Sequence, residues 1–321
     1  MYVENPVVIK ASVTFERDLY VKDYTAKLVK SLLISGNPEL GELFSRTMAF
    51  PPKPIHLTPL YTHRIGRENQ KRYVEPVYAK YIPSKPIAKP PDVNKLSPVR
   101  IEAGKEYFFY IGTNIKLMDN ILLSLSNVNK FIFGNDVVAI NQLHYEIEYV
   151  NVEKKAEEIR SILEASNKGY MKVIFNAPTL LKDPLVITRR KKRKLLLPLP
   201  EAVLSTPFFM TLIDMGRVRS SFFVTCMRYI KSIFDIPYTV LKTINLVWYV
   251  YDNELLPALI GYVKYYIDSQ LLQRIQKVVE MKHNLDFTDL LSKSMVLAQI
   301  YGSGDGRATG FGHVSIVFPS V

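Results

Sequence analysis

An α+β fold built on antiparallel sheets follows from three features of the sequence. Alternating apolar residues mark strands, helical spacing marks the segments between them, and in the first half these come in the order strand, helix, strand, strand, helix, strand. That order closes into a four-stranded antiparallel sheet with both helices on one face, the ferredoxin-like arrangement. A strand pattern starts again at Met171-Lys172-Val173-Ile174-Phe175-Asn176, so the second half opens as the first did.

Val7 to Phe15 places Val7, Ile9, Val13 and Phe15 on one side of a half-buried strand. Lys22 to Ser35 sets Leu28, Leu32 and Leu33 on one helical face, with Lys27 and Lys30 on or beside the polar face, and Gly36-Asn37-Pro38 ends it. Glu39 to Thr47 reads as a second, short helix. Lys53 to Tyr61 reads as an edge strand, because Pro54 and Pro59 cannot donate to a central ladder. Residues 51–98 hold ten of the twenty prolines, with cations and Tyr61, Tyr73, Tyr78 and Tyr81 interleaved. Rings stack on bases and cations track phosphates, so this composition suits single-stranded nucleic acid. A proline-stiffened loop whose tyrosines cover the core is the alternative. Glu106 to Ile111 is a strand, Lys116 to Leu125 a helix, and Gln142 to Val150 a strand.

Glu153 to Glu164 is charged and helical, a linker between halves. Beyond Met171, two apolar runs flank six consecutive cations, Arg189, Arg190, Lys191, Lys192, Arg193 and Lys194. Such flanks make the run a hairpin tip, and like charges side by side favour a phosphate among them over a freely solvated tip. Helices are expected over Glu201 to Ile213 and Phe222 to Ile236, and a strand over Thr243 to Tyr251. Spacing reads Pro257 to Lys282 as one long amphipathic helix, with a strand within Gln276 to Phe287 left open. Asp286 to Gln299 is helical.

At 321 residues the chain has room for about two domains of roughly 100 to 200 residues. Lys and Arg number 42 against 30 Asp and Glu, a net charge of +12, which favours a polyanionic partner, nucleic acid first. No apolar stretch approaches the ~20 residues of a membrane span, and the amino terminus does not resemble a signal peptide, so a cytoplasmic location is expected. Cys226 is the single cysteine, which excludes an internal disulfide and a cysteine metal set. His63 and His144 have no partner at a telling spacing and read as structural. The carboxylates are scattered, without the clustering a two-metal nuclease requires.

Near the end stands Gly302-Ser303-Gly304-Asp305-Gly306-Arg307-Ala308-Thr309-Gly310-Phe311-Gly312, with five glycines in eleven residues. A loop of this kind lets backbone approach a neighbour closely and can turn its N–H groups toward phosphate oxygens. Arg307 adds a planar charged fork. A dinucleotide fingerprint is excluded, because Arg307 stands where its third glycine would be and too few residues follow for a helix. A Gly-Lys-Ser/Thr ending is also absent. The loop leads into a closing strand, His313 to Phe318, and a tight hairpin without ligand is the alternative reading.

In order and spacing, four segments resemble one family, the CRISPR-associated endoribonucleases that cut precursor CRISPR RNA within its repeats. This is the sixth Cas family of the RAMP superfamily, in its crenarchaeal, archaeal form. The segments are the glycine loop, Asn176-Ala177-Pro178-Thr179-Leu180-Leu181, Ala26 through Gly36, and Lys53-Pro54-Ile55-His56-Leu57. The resemblance implies two tandem ferredoxin-like domains, residues 1–152 and 169–321, joined by a linker at 153–168, with RNA across the cleft and basic face between them.

Metal-independent cleavage is implied as well: a ribose 2′-hydroxyl attacks the neighbouring phosphate and leaves a 2′,3′-cyclic phosphate and a 5′-hydroxyl. No cofactor is expected. Many relatives use a histidine on the second short helix, where this chain reads Leu43-Phe44-Ser45-Arg46. Crenarchaeal relatives use lysines, and the matching positions are Lys30 and Lys53, with Arg46 and His56 as neighbouring candidates and Tyr24 as an assistant. Gly304, Gly306, Arg307, Gly310 and Gly312, together with Arg189 to Lys194, are the expected RNA contacts. CRISPR repeat RNA is the expected partner, with interference-complex subunits and a homodimer as further partners and no membrane. A non-catalytic RNA-binding subunit of an interference complex is the alternative function.

Overall fold

The strand Pro6–Phe15 (β1) buries Val7, Ile9, Ala11, Val13 and Phe15 and leaves the residues between them partly exposed, the period of a one-sided sheet. It occupies the centre of its sheet in this computed structural model, which describes residues 2, 4–46, 51–65, 72–83, 92–165, 169–186, 194–236 and 240–318.

Helices Ala26–Gly36 (α1) and Glu39–Ser45 (α2) follow, then Ile55–Leu57 (β2), Tyr61–Ile65 (β3), Arg72–Pro76 (β4) and Lys80–Tyr81 (β5). Next come Tyr107–Asn114 (β6), helix Ile115–Asn127 (α3), and the hairpin Lys130–Phe133 (β7) with Asp136–Tyr149 (β8). The sheet order is β4-β3-β6-β1-β8-β7, with β2 also on β6, and the paired strands are antiparallel. This is the ferredoxin-like order expected from the first half. Pro59 separates β2 from β3, both of which pair with β6. Asn114 ends β6 and starts α3 by accepting the Leu117 N–H at 3.2 Å.

Helix Val152–Ala165 (α4) leads to Tyr170–Thr179 (β9), the short hairpin Leu181–Lys182 (β10) and Lys194–Leu195 (β11), and helices Pro200–Asp214 (α5) and Ser220–Ile233 (α6). Ile244–Tyr251 (β12), Glu254–Ile267 (β13), helices Ser269–His283 (α7) and Phe287–Tyr301 (α8), and Val314–Val317 (β14) complete the chain. The second sheet runs β14-β9-β13-β12-β5. The repeat of strand, helices, two strands, helices and strand makes two tandem ferredoxin-like units.

The single helix expected over residues 257–282 is overturned. That stretch is the strand β13, then α7, and no strand lies within the described residues 276–287. Val263, Tyr265 and Ile267 are buried while Lys264 and Tyr266 are exposed, so the local period is two. Asp268 then caps α7 by accepting the Leu271 N–H at 2.9 Å. A left-handed Asn284 ends it at φ 51°. Apolar side chains on both sides of that boundary hid it from a count of helical spacing.

The halves share apolar surface. Tyr2, Val150, Val152, Ala156, Met210, Val296, Leu297, Ile300 and Tyr301 form one shared cluster, so α4 is a packed helix. A second gathers Tyr24, Tyr78, Tyr249 and Phe311, with Tyr24 stacked on Phe311 at 4.7 Å and 11°. Contacts of this kind add about 0.5–1.5 kcal/mol each beyond their buried area. The proline-rich excursion takes part directly: β5 extends the second sheet, pairing Tyr81 with Trp248 and Lys80 with Tyr249. Tyr61 and Tyr78 are core residues, whereas Tyr73 is exposed. In the run 107–110, Tyr107, Phe108 and Phe109 are buried and only Tyr110 is partly exposed.

Candidate active site

Helix α1 carries lysines on successive turns, and they meet different surroundings. Lys27 Nζ lies 2.6 Å from Asp23 and 2.5 Å from Asp252, so its charge is matched. Lys30 faces α2 instead, with Nζ 5.6 Å from the centroid of the Phe44 ring. Lys53, at the approach to β2, donates from Nζ to the Phe44 carbonyl oxygen at 3.0 Å. Phe44 is anchored because α2 buries it together with Leu40. One residue therefore fixes two ammonium groups, by its ring and by its carbonyl.

Partial burial pushes the pKa of both lysines below the ordinary value. At Lys30 the carboxylate of Asp252 opposes the shift and Lys27 adds to it; at Lys53 the charges of Lys30 and Arg46 add to it. Arg46 stands exposed at the end of α2. The structure thus brings Lys30, Lys53 and Arg46 into one field, and among the described residues no carboxylate lies within ion-pair distance of the two lysines. An added anion would relieve their mutual repulsion.

The glycine loop lies behind this site. Its five glycines all have positive φ, and its amides are spent on protein: Ser303 N–H on Gly312 O, Asp305 N–H on Leu180 O, and Gly312 N–H on Pro178 O, at 2.8, 2.8 and 3.1 Å. A Cβ on Gly310 would stand 2.0 Å from the Ala26 Cβ at the start of α1. Close docking onto α1 and β9 therefore explains the glycines. Gly310 and Gly312 are buried, which corrects the expectation that they touch RNA, while Gly304 and Gly306 are partly exposed.

Arg307 is corrected too. It is 7% exposed, and Nη1 donates to Tyr301 O at 2.8 Å while Nη2 donates to Lys53 O at 3.4 Å. Burial pushes its pKa down to about 10, and the guanidinium remains charged at neutral pH. Its fork holds the backbone of Lys53 from behind.

His56 does not join the lysines. It is 1% exposed between the two halves, with Nδ1 3.3 Å from Ile300 O, and burial first, then His313 and Arg307, hold its pKa well below the usual value. The side chain on the other face of β2 is thus a neutral core histidine. Tyr24 is equally structural: buried, its hydroxyl donates to Gly310 O at 2.9 Å. Of the basic run, Arg189 to Arg193 lie outside the described residues. Lys194 pairs with Lys182 in the β10–β11 ladder, which forms the stem expected of a hairpin.

Sequence reasoning missed Phe44, whose apolar side chain gave no sign of chemistry. It also gave no lining for the cleft that the resemblance implies between the halves, where a cavity of about 560 Å³ is lined by Tyr61, Tyr110, Tyr262, Asn176, His313 and Lys80, among others. There the Tyr61 hydroxyl is hydrogen-bonded to His313 Nδ1 at 2.7 Å. No element in the sequence signals a pairing across 252 residues.

By sequence, the chain matches no family model and no curated protein. By structure it is similar to Cas6 proteins. A Cas6 product complex superposes with a TM-score of 0.57 at 13% identity, over 98% of this chain and 99% of that one. Cas6 of Thermus thermophilus does so with a TM-score of 0.50 at 14% identity, over 98% of each chain. The fold of this protein is that of Cas6. Among the described residues no helix is long and apolar enough to cross a membrane.

Proposed function

We propose that the protein is a metal-independent endoribonuclease that cuts precursor CRISPR RNA within its repeats. The observation carrying this reading is the pair Lys30 and Lys53 set about Phe44, with lowered pKa values and, among the described residues, no carboxylate within ion-pair distance. In the reaction the 2′-oxygen forms a bond to phosphorus as the bond from phosphorus to the 5′-oxygen breaks, and the 2′-hydroxyl proton ends on the 5′-oxygen. The products are a 2′,3′-cyclic phosphate and a 5′-hydroxyl. Negative charge gathers on the pentacoordinate phosphorus, where two fixed ammonium groups lower the barrier. A lowered pKa also favours the neutral form of a lysine, the form that a base for the 2′-hydroxyl must have.

The fold supports RNA as substrate, since a Cas6 of the same fold is known as a product complex. The net charge of +12 and the aromatic cleft agree with it. RNA binding without cleavage is the second reading, favoured by the position of His56, which is buried away from the lysines. Single-turnover cleavage of labelled repeat RNA in excess EDTA separates the two. One cut ending in a cyclic phosphate, lost in the Lys30→Ala/Lys53→Ala double variant, supports the enzyme; tight binding with no cut supports the binder.

A further inference from the structure

Beside the glycine loop lies a cavity of about 280 Å³, lined by Pro52, Phe209, Phe223, Ser205, Thr206 and the ion pair of Lys182 with Asp305, among others. We propose that it receives one unstacked guanine base of the bound RNA. The inference rests on the RNA reading above.

Its walls are apolar and aromatic, with the Phe209 and Phe223 rings at 5.4 Å and nearly perpendicular, suited to the face and edge of a flat heterocycle. The volume is near the lower bound of small-molecule sites, enough for a base and too little for a folded strand. At the rim, Lys182 and Asp305 side chains remain 40% and 53% exposed while paired. An exposed pair of this kind is worth about 0–1 kcal/mol, so a ligand opens it at little cost.

Those two groups present one pattern. A carboxylate accepts two hydrogen bonds and an ammonium donates. Guanine offers two donors, N1–H and the N2 amino group, beside the O6 acceptor. Adenine sets a lone pair at N1 against the carboxylate and is repelled. Ser205 and Thr206 also line the cavity, and their hydroxyls donate to Ala202 O at 3.0 Å and Gly304 O at 3.4 Å.

Position argues for RNA as the source of the base. Pro52 immediately precedes Lys53, and Lys182 pairs with Lys194 in the β10–β11 ladder. The loop holds the Asp305 backbone beside the cavity, its N–H bound to Leu180 O at 2.8 Å.

The test is repeat RNA in which each guanine in turn is replaced by inosine, which lacks only the N2 amino group. Affinities are measured for the wild type, Asp305→Asn and Lys182→Met, with thermal unfolding as a check that the variants fold. At one position inosine should weaken wild-type binding about tenfold, adenine should weaken it more, and Asp305→Asn should abolish the difference between guanine and inosine. Lys182→Met should lower affinity for the guanine RNA and leave that difference in place. RNA binding with no guanine whose effect depends on Asp305 overturns the pocket and leaves the nuclease reading standing. Failure of the wild type to bind any repeat RNA overturns both.

Discussion

The Lys53 ammonium is held 3.0 Å from the carbonyl oxygen of Phe44, the residue whose ring lies beneath Lys30. A lysine tied to a helix-end carbonyl keeps two N–H directions for a ligand and loses much of its freedom to swing away. The site is thus preorganised on its cationic side.

Lys30→Ala and Lys53→Ala should each slow single-turnover cleavage by about 10²-fold, the size of loss seen when one fixed charge-stabilising donor is removed. Repeat-RNA affinity should fall far less. Filter binding beside the rate measurement checks this. Parallel losses of affinity and rate would assign both lysines to binding alone.

Arg307→Ala should act through stability. It strands the carbonyls of Tyr301 and Lys53 and costs about 2–3 kcal/mol, read as a lower midpoint of urea unfolding. Cleavage should slow because the Lys53 backbone loosens, whereas the salt dependence of RNA binding should hold its slope, since the guanidinium is buried on main-chain carbonyls. A slope reduced by about one contact would return Arg307 to the RNA surface.

Gly310→Ala should separate the glycine loop from α1. The residue sits at φ 98°, and the new methyl would stand 2.0 Å from Ala26 Cβ. Destabilisation of about 2 kcal/mol or more is expected from strain and overpacking together. Gly104→Ala, at φ 68° with nothing within 4 Å of the new methyl, serves as a control for backbone strain alone. Equal losses in the two variants would show that the docking contact adds nothing.

His313 makes stability depend on pH. Burial holds its pKa at about 4 in the folded protein, against 6.5 for the free side chain. Between those values the unfolded chain takes up a proton that the folded one refuses, so stability is full above about pH 6.5 and falls as pH drops toward 4. The contribution is about 3 kcal/mol. Tyr61, Tyr110 and His56 face the ring, and none of them supplies a negative charge to reverse the sign. His313→Gln should flatten this part of the profile, measured by urea unfolding at pH 7 and pH 4.5. An unchanged difference between those pH values would locate the acid sensitivity elsewhere.

Local rules determined much of this protein. The alternation in β1 and the stop at Gly36-Asn37-Pro38 are written in neighbouring residues, which is why the first ferredoxin-like unit was legible, whereas Lys30 and Lys53 were singled out only by the family resemblance. Residues 257–282 misled because apolar side chains there satisfy the strand and helix periods alike, until Asp268 caps the helix. What a polar residue faces was beyond local rules. His56 and Arg307 carry groups suited to catalysis or phosphate binding, yet tertiary packing buries both between the halves, where the cost of desolvation is met by main-chain carbonyls. Phe44, an apolar residue, acquired its role only because folding set two lysines about it. Burial and neighbours arise from the whole chain's packing, and they decided which charges remain free to meet an anion.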